Sequence, residues 1–146
     1  MEWRWKQFED LTVSELYEVV ELRERVFIVE QNCVYLDSDG ADRWAWHLMG
    51  YSNGKLVAYL RALPQGVKYP DCSIGRIVTA AEVRKTGWGK ELVKQGIARI
   101  DHQFGRSPIR ISAQAYLEKF YSEFAFRRVS ENYLEDNIPH LEMLRD

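Results

Sequence analysis

Two glycines stand one residue apart in "VRKTGWGKEL", residues 83–92, just after an apolar run and just before a helical pattern. Glycine costs roughly 1 kcal/mol against alanine inside a helix, so Gly87 and Gly89 need a reason to be there. A tight turn is one reason. Backbone brought close to a ligand is another. Either way the chain passes here from strand to helix, which commits it to layers of sheet and helix.

The rest of the chain fits such layering. "WRWKQF" alternates and predicts a short first strand, carried by Trp3 and Trp5. "LTVSELYEVVELRERVFIVEQ" turns helical, and Thr12 followed by Glu15 is a capping-box signature. Leu16, Tyr17, Val20 and Phe27 can share its apolar stripe, with Glu18, Glu21 and Arg25 outside it. Residues 30–43 read as loop. "WAWHLMGYS" and "KLVAYLRAL" flank Asn53-Gly54, a strong hairpin signal because a type I′ turn needs positive φ at both central residues.

A loop over 64–71 leads to "CSIGRIVTA", a strand whose Gly75 suggests a bulge or a close backbone approach. Leu92, Val93, Ile97, Ile100 and Phe104 recur at helical spacing, with Gly105 as the end signal. "IRISAQ" is a strand, "YLEKFYSEF" a short helix, "FRRVSENYL" a strand and "PHLEMLR" the last strand. The order is β-α-β-β-β-α-β-α-β-β. It predicts one α/β domain over 1–146, with a mixed twisted sheet of about seven strands flanked by helices.

Composition narrows the function classes. A formal net charge of −2 argues against a general nucleic-acid binder. The first 73 residues carry four more acidic than basic side chains, and the remainder two more basic than acidic. An anionic ligand therefore suits the second half better, and a cationic one the first. No apolar stretch approaches the ~18 residues that span a bilayer, and "MEWRWKQFED" has no apolar signal region. With only Cys33 and Cys72, and no metal-ligand spacing, the chain reads as cytoplasmic with two small buried thiols.

The glycine turn reads as an anion seat. Free N–H groups of a first helical turn point outward together, and the helix dipole adds to their pull on negative charge. Arg84, Lys85 and Lys90 surround the turn, and missing Cβ atoms would let a pyrophosphate reach the amides. A Walker A loop is excluded, since Lys90 is followed by Glu91 and the four-residue spacing is missing. A dinucleotide fingerprint is excluded too: the turn lies mid-chain, and Leu92 stands where a third glycine belongs.

What remains is R-x-x-G-x-G, Arg84 to Gly89. It resembles the acetyl-coenzyme A pyrophosphate loop of the GNAT N-acetyltransferase superfamily, and the order of elements resembles that fold along the whole chain. "VFIVEQNCVYLDSDGAD", "IGRIV", "AQAYLEKFYSEFAF" and "YLEDNIPHLEM" together are similar to its ElaA branch.

The resemblance implies a transferase that moves an acetyl group from acetyl-CoA to a primary amine of a small molecule or peptide. It implies that backbone groups of Ile77, Val78 and Thr79 hold the pantetheine arm. Arg84, Lys85, Thr86, Gly87, Trp88, Gly89 and Lys90 would then hold the pyrophosphate. The strands at 74–79 and 109–114 should splay to leave a cleft. Tyr121 would protonate the leaving thiolate, and a backbone N–H near Ile77 or Val78 would stabilise the oxyanion. Trp88 stands where the family has an aliphatic residue, so its ring is expected against the sheet. Ala125 stands where relatives have glycine, a cost of roughly 1 kcal/mol if φ is positive there.

Other readings stay open at this point. Leu117, Phe120, Tyr121 and Phe124 form one apolar stripe, so Tyr121 also reads as a core residue. Glu30, His47 and His140 are candidate bases, and His140 is also a candidate acceptor-binding residue. "DSDGAD" fails the EF-hand template, and its default is a solvated acidic turn. Asp39 or Asp42, with Glu30 and Gln31, could instead bind a cationic amine, and Arg76 could pair with an acceptor carboxylate or simply with these carboxylates; no metal is expected. A CoA-binding module without catalysis, or an acyl-homoserine-lactone-synthase-like acyltransferase, would share the fold. Trp44 is a candidate for a homodimer interface.

Overall fold

A computed structural model describes all 146 residues. The alternating N-terminal stretch forms β1 (Glu2–Gln7), and the helix that follows, α1, spans Val13–Arg23. Its start is the capping box: the Thr12 side chain accepts from the Glu15 amide at 3.0 Å, and the Glu15 carboxylate accepts from the Thr12 amide at 2.9 Å. The helix runs on in π-helical form over Glu24–Glu30. Hairpin strands β2 (Trp46–Ser52) and β3 (Lys55–Leu63) meet at Asn53 and Gly54, with φ of 50° and 78°. Then come β4 (Cys72–Thr79), α2 (Trp88–Phe104), β5 (Ile109–Gln114) and α3 (Glu118–Ser122). The chain closes with β6 (Arg127–Arg128), β7 (Tyr133–Glu135) and β8 (Ile138–Arg145).

The sheet runs β1-β2-β3-β4-β5-β8-β6, with β7 also paired to β8. Only β4 and β5 are parallel neighbours. There are eight strands rather than seven, because "FRRVSENYL" breaks into two short pieces that both pair with β8. Leu60 of β3 meets Gly96 of α2, while its neighbours Tyr59 and Arg61 meet Arg23 of α1 and Asp42. Successive strand residues face opposite ways, so the two long helices cover opposite faces of the sheet.

The apolar stripe of α1 differs from the one expected. Tyr17 is 70% exposed and Val20 faces solvent, while Val19, Leu22 and Val26 enter the core. The displaced stripe has a cause: the helix also buries two charges, Glu15 and Arg23. Arg4 and Lys6 reach Glu15 at 3.1 and 2.9 Å. Burial alone would raise the Glu15 carboxyl, but the Thr12 amide and these two cations outweigh it and hold the group at about 2. Cys72 is buried as expected, but Cys33 is only half-buried. Trp44 is 67% exposed. No helix is long and apolar enough to cross a membrane.

Candidate active site

Strand β4 has two unlike edges. On one side it pairs with β3, and the ladder slips between Tyr59 and Arg61. Leu60 there faces both Arg76 and Ile77, a bulge in which Arg76 takes a left-handed φ of 51°. Gly75 does not adopt positive φ, and a Cβ added there would touch nothing. The distortion expected at the glycine therefore falls on the arginine beside it.

On the other side β4 pairs with β5 only at Cys72–Ile109 and Ser73–Arg110. Beyond these residues β5 follows β8 instead, and the two parallel strands part. A cleft of about 600 Å³ fills the gap. Ile77, Val78 and Thr79 line it from β4. Ala80 still donates to Val57 of β3 at 2.8 Å, so by strand alternation the backbone of Thr79 turns away from β3. Its carbonyl accepts from Arg84 at 3.1 Å. Glu30, Gln31, Arg76, Arg84, Tyr121 and His140 also line the cleft.

The glycine turn continues from Arg84. Lys85 has a φ of 63°, and Gly87 caps α2 with a φ of 93°. No side chain caps this helix start, so the first-turn amides of Trp88, Gly89 and Lys90 have no intrahelical acceptor. The Thr86 hydroxyl donates back to the Val83 carbonyl. Gly87 is explained by its backbone. Gly89 is not: it lacks positive φ, and a Cβ there would meet nothing within 4 Å. Nothing in the protein needs the empty space beside it. An anion seated on the amides would use it. The Trp88 ring leaves this surface altogether and packs on Trp3, centroid to centroid 5.4 Å. Residues 85–90 thus form a rim beside the cleft, and only Arg84 of the loop reaches its lining. There Arg84 meets Glu30 at 2.6 Å.

Tyr121 is buried among Phe120 and Phe126, which stand edge-on to it. Its hydroxyl has no hydrogen-bond partner in the protein, although the ring lines the cleft. Burial, with a smaller push from Tyr116, raises its pKa well above the usual phenol range. It stays protonated through neutral pH. Ala125, just past α3, has a φ of 69°, the strained conformation feared for that position.

The acidic turn is tied to arginines: Arg76 pairs with its carboxylates, one of the two uses expected of that residue, and two further arginines join it. Arg61, 1% exposed, grips Asp39 at 2.6 Å and Asp42 at 2.9 Å. Arg23 holds Asp37 at 2.7 Å and Asp42 at 2.8 Å. Arg76 approaches Asp37 at 2.8 Å, an ion pair poorly aligned for a hydrogen bond, and Asp39 at 3.3 Å. Hydrogen bonds from Arg61 hold the Asp39 carboxyl far below the usual carboxylate range. Asp39 is absent from the cleft lining and is committed to arginines, so it is not an amine-binding group. His47 is also committed: its ring nitrogens meet Tyr59 Oη at 2.7 Å and the Asp42 carbonyl at 2.9 Å, and burial lowers its pKa.

Sequence reasoning passed over Glu135. It lies in the cleft 3.3 Å from His140, and the Asp136-Asn137 turn that places it, with φ of 50° and 63°, was legible only as a turn.

The profile described as an acetyltransferase (GNAT) domain matches residues 41–145. The chain belongs to the GNAT acetyltransferase family. Protein ElaA of Escherichia coli is 38% identical over 148 residues, spanning 100% of this chain and 97% of that protein. Its crystal structure superposes with a TM-score of 0.94, covering 99% of each chain. An acyl-CoA N-acyltransferase from Pseudomonas aeruginosa is 38% identical, covers 100% of both chains and has a TM-score of 0.95. An aminoglycoside 6'-N-acetyltransferase complexed with coenzyme A shares the GNAT fold at 15% identity and a TM-score of 0.71, over 97% of this chain and 96% of that one.

Proposed function

We propose that this GNAT protein transfers an acetyl group from acetyl-CoA to the primary amine of a small molecule or peptide by direct attack. The observation that carries the reading is Gly89. Its missing side chain leaves room over three unpartnered helix amides, at the rim of a cleft where β4 has lost its neighbour. The residues present fit the group. The amides of Trp88, Gly89 and Lys90, with Arg84 and Lys85 nearby, suit a pyrophosphate. The unpaired edge of β4 at Ile77, Val78 and Thr79 suits the amide-bearing pantetheine arm. Bound acetyl-CoA supplies an activated thioester.

The chain's own residues do the rest. Of the two backbone N–H groups expected for the role, that of Ile77 lies on the edge away from β3 and stabilises the oxygen that gains charge as the amine adds, since strand alternation turns Val78 toward β3. Tyr121 donates its phenolic proton to the departing sulfur. Its raised pKa keeps that proton available, and its lack of a partner leaves the hydroxyl free to turn toward the cleft. Glu30 neutralises Arg84 while the seat is empty and must release it to a phosphate.

The test is thermal unfolding with acetyl-CoA, CoA, ATP or no ligand at matched concentrations. A ligand at 100 times its Kd adds about 2.7 kcal/mol, a readily measured shift. Stabilisation by both CoA species but not by ATP is expected. No shift with either would make the glycine turn an ordinary turn and end the proposal.

A further inference from the structure

The large cleft has a smaller neighbour. A small cavity of about 50 Å³ adjoins it and shares three of its lining residues: Arg76, Ser112 and Glu135. Two charged groups in the small cavity lack a permanent counter-charge. One is Lys68, whose Nζ lies 5.3 Å from the Tyr69 ring centroid and pairs with no carboxylate. Lys68 is an exposed residue, and desolvation outweighs the opposing pull of Glu135 to lower its pKa. The other is Glu135, whose nearest partner is His140. Lys68 and Glu135 line the same small space without touching. The other cations of this cavity are already answered: Arg61 by Asp39 and Asp42, Arg76 by Asp37 and Asp39.

His140 sharpens the arrangement. Its Nδ1 is 2.7 Å from the Ile138 carbonyl, which can only accept, so Nδ1 carries the proton. In the neutral ring Nε2 then presents a lone pair toward the Glu135 carboxylate 3.3 Å away. Two acceptors facing each other repel unless they share a donor. A proton on Nε2 is one such donor, and an ammonium that bridges both atoms from the cleft side is another.

We propose that the acceptor is an amino-acid-like zwitterion, whose ammonium is taken by Glu135 and His140 and whose carboxylate is taken by Lys68. The inference rests on the transferase reading and names the substrate class of that same site. His140 takes one proton from the bound ammonium, which makes the nitrogen nucleophilic. The nitrogen then forms its bond to the acetyl carbon as the C–S bond breaks. The second nitrogen proton leaves to water, and Tyr121 supplies the proton that the sulfur gains.

The experiment follows CoA thiol release from acetyl-CoA with matched pairs of acceptors. L-Phenylalanine is set against 2-phenylethylamine, L-leucine against 3-methylbutylamine, and 5-aminopentanoate against pentylamine. At least one carboxylate-bearing member should exceed its partner tenfold or more in kcat/KM. Lys68→Gln should erase that preference through acceptor KM and leave acetyl-CoA KM unchanged. Glu135→Gln should depress turnover of every amine tested. Equal or faster reaction of the amines without a carboxylate overturns the proposal. So does an intact preference in Lys68→Gln, or no turnover of any pair by protein that acetyl-CoA stabilises. Absence of that stabilisation is the separate failure of the transferase reading itself.

Discussion

The two edges of β4 differ in almost every respect. Toward β3 the strand is bonded along its length and locked by three arginines and three aspartates drawn from α1, the 37–42 loop, β3 and the bulge. Toward β5 it holds two residue pairs and then lets go. Unpaired backbone is costly when buried, and a residue such as Arg76 in a left-handed conformation costs of order 1 kcal/mol or more. The locked edge is what holds such a strand in place. The same strand can then present a bare edge to a ligand without collapsing onto its neighbour.

The comparison can be broken most severely from the locked side. Arg61→Leu removes the guanidinium that Asp39 and Asp42 share, leaving Asp42 to Arg23 and Asp39 to its longer contact with Arg76, and should cost about 2 kcal/mol. Urea unfolding should show the loss. The lock also fixes the acid response. Arg61 holds Asp39 below the unfolded carboxylate value of about 3.9, and for Asp42 the pull of Arg23 and Arg61 outweighs the upward push of burial. A depressed carboxyl stabilises the fold above its unfolded pKa and loses that contribution as pH falls through the folded one. Stability in urea should therefore be level from pH 7 to about 5 and fall steadily below about 4. Arg61→Leu should show a shallower acid slope.

The open side should respond in activity rather than stability. Tyr121→Phe removes a hydroxyl with no partner in the protein, so unfolding should move by less than about 0.5 kcal/mol. The turnover rate should fall about 100-fold, the lower end of what a general acid contributes. Gly89→Ala, in the first turn of α2 beside the open edge, sharpens the contrast, because stability and ligand binding should move in opposite directions in one variant. Alanine suits the helix and should stabilise the free protein by about 0.5 kcal/mol. It should weaken acetyl-CoA binding about tenfold, measured by titration calorimetry, because its methyl fills the space over the amides. Smallest in reach is Ala125→Gly, which relieves a φ of 69° and should raise stability by about 1 kcal/mol with little change in turnover.

What the sequence conveyed followed from distance along the chain. The Thr12–Glu15 box and the Asn53-Gly54 hairpin are decided within four residues, and both stand as read. The glycine turn was legible because a helix start makes its site from consecutive amides. The acidic turn was not. Asp37, Asp39 and Asp42 looked solvated, since nothing local says that arginines 14 to 39 positions away converge on them. That convergence also misplaced the α1 stripe: Arg23 reads as a surface charge until its aspartates are known. Glu135 was missed for a related reason. Its chemistry depends on His140 across a hairpin and on Lys68 beyond the gap, and only the fold brings these together.

One contact far from the cleft reaches further than it looks. A Cβ on Gly50 would lie 2.7 Å from the Trp3 ring and 2.9 Å from the Trp88 ring, so the two indoles close over that glycine as a lid over a missing side chain. Trp88 is also the residue that begins α2. The outermost strand of the sheet is therefore a foundation for the start of α2. Trimming the chain past Trp3 would leave the first turn of α2 leaning on a void, so the amino-terminal strand steadies a helix start that lies far along the chain.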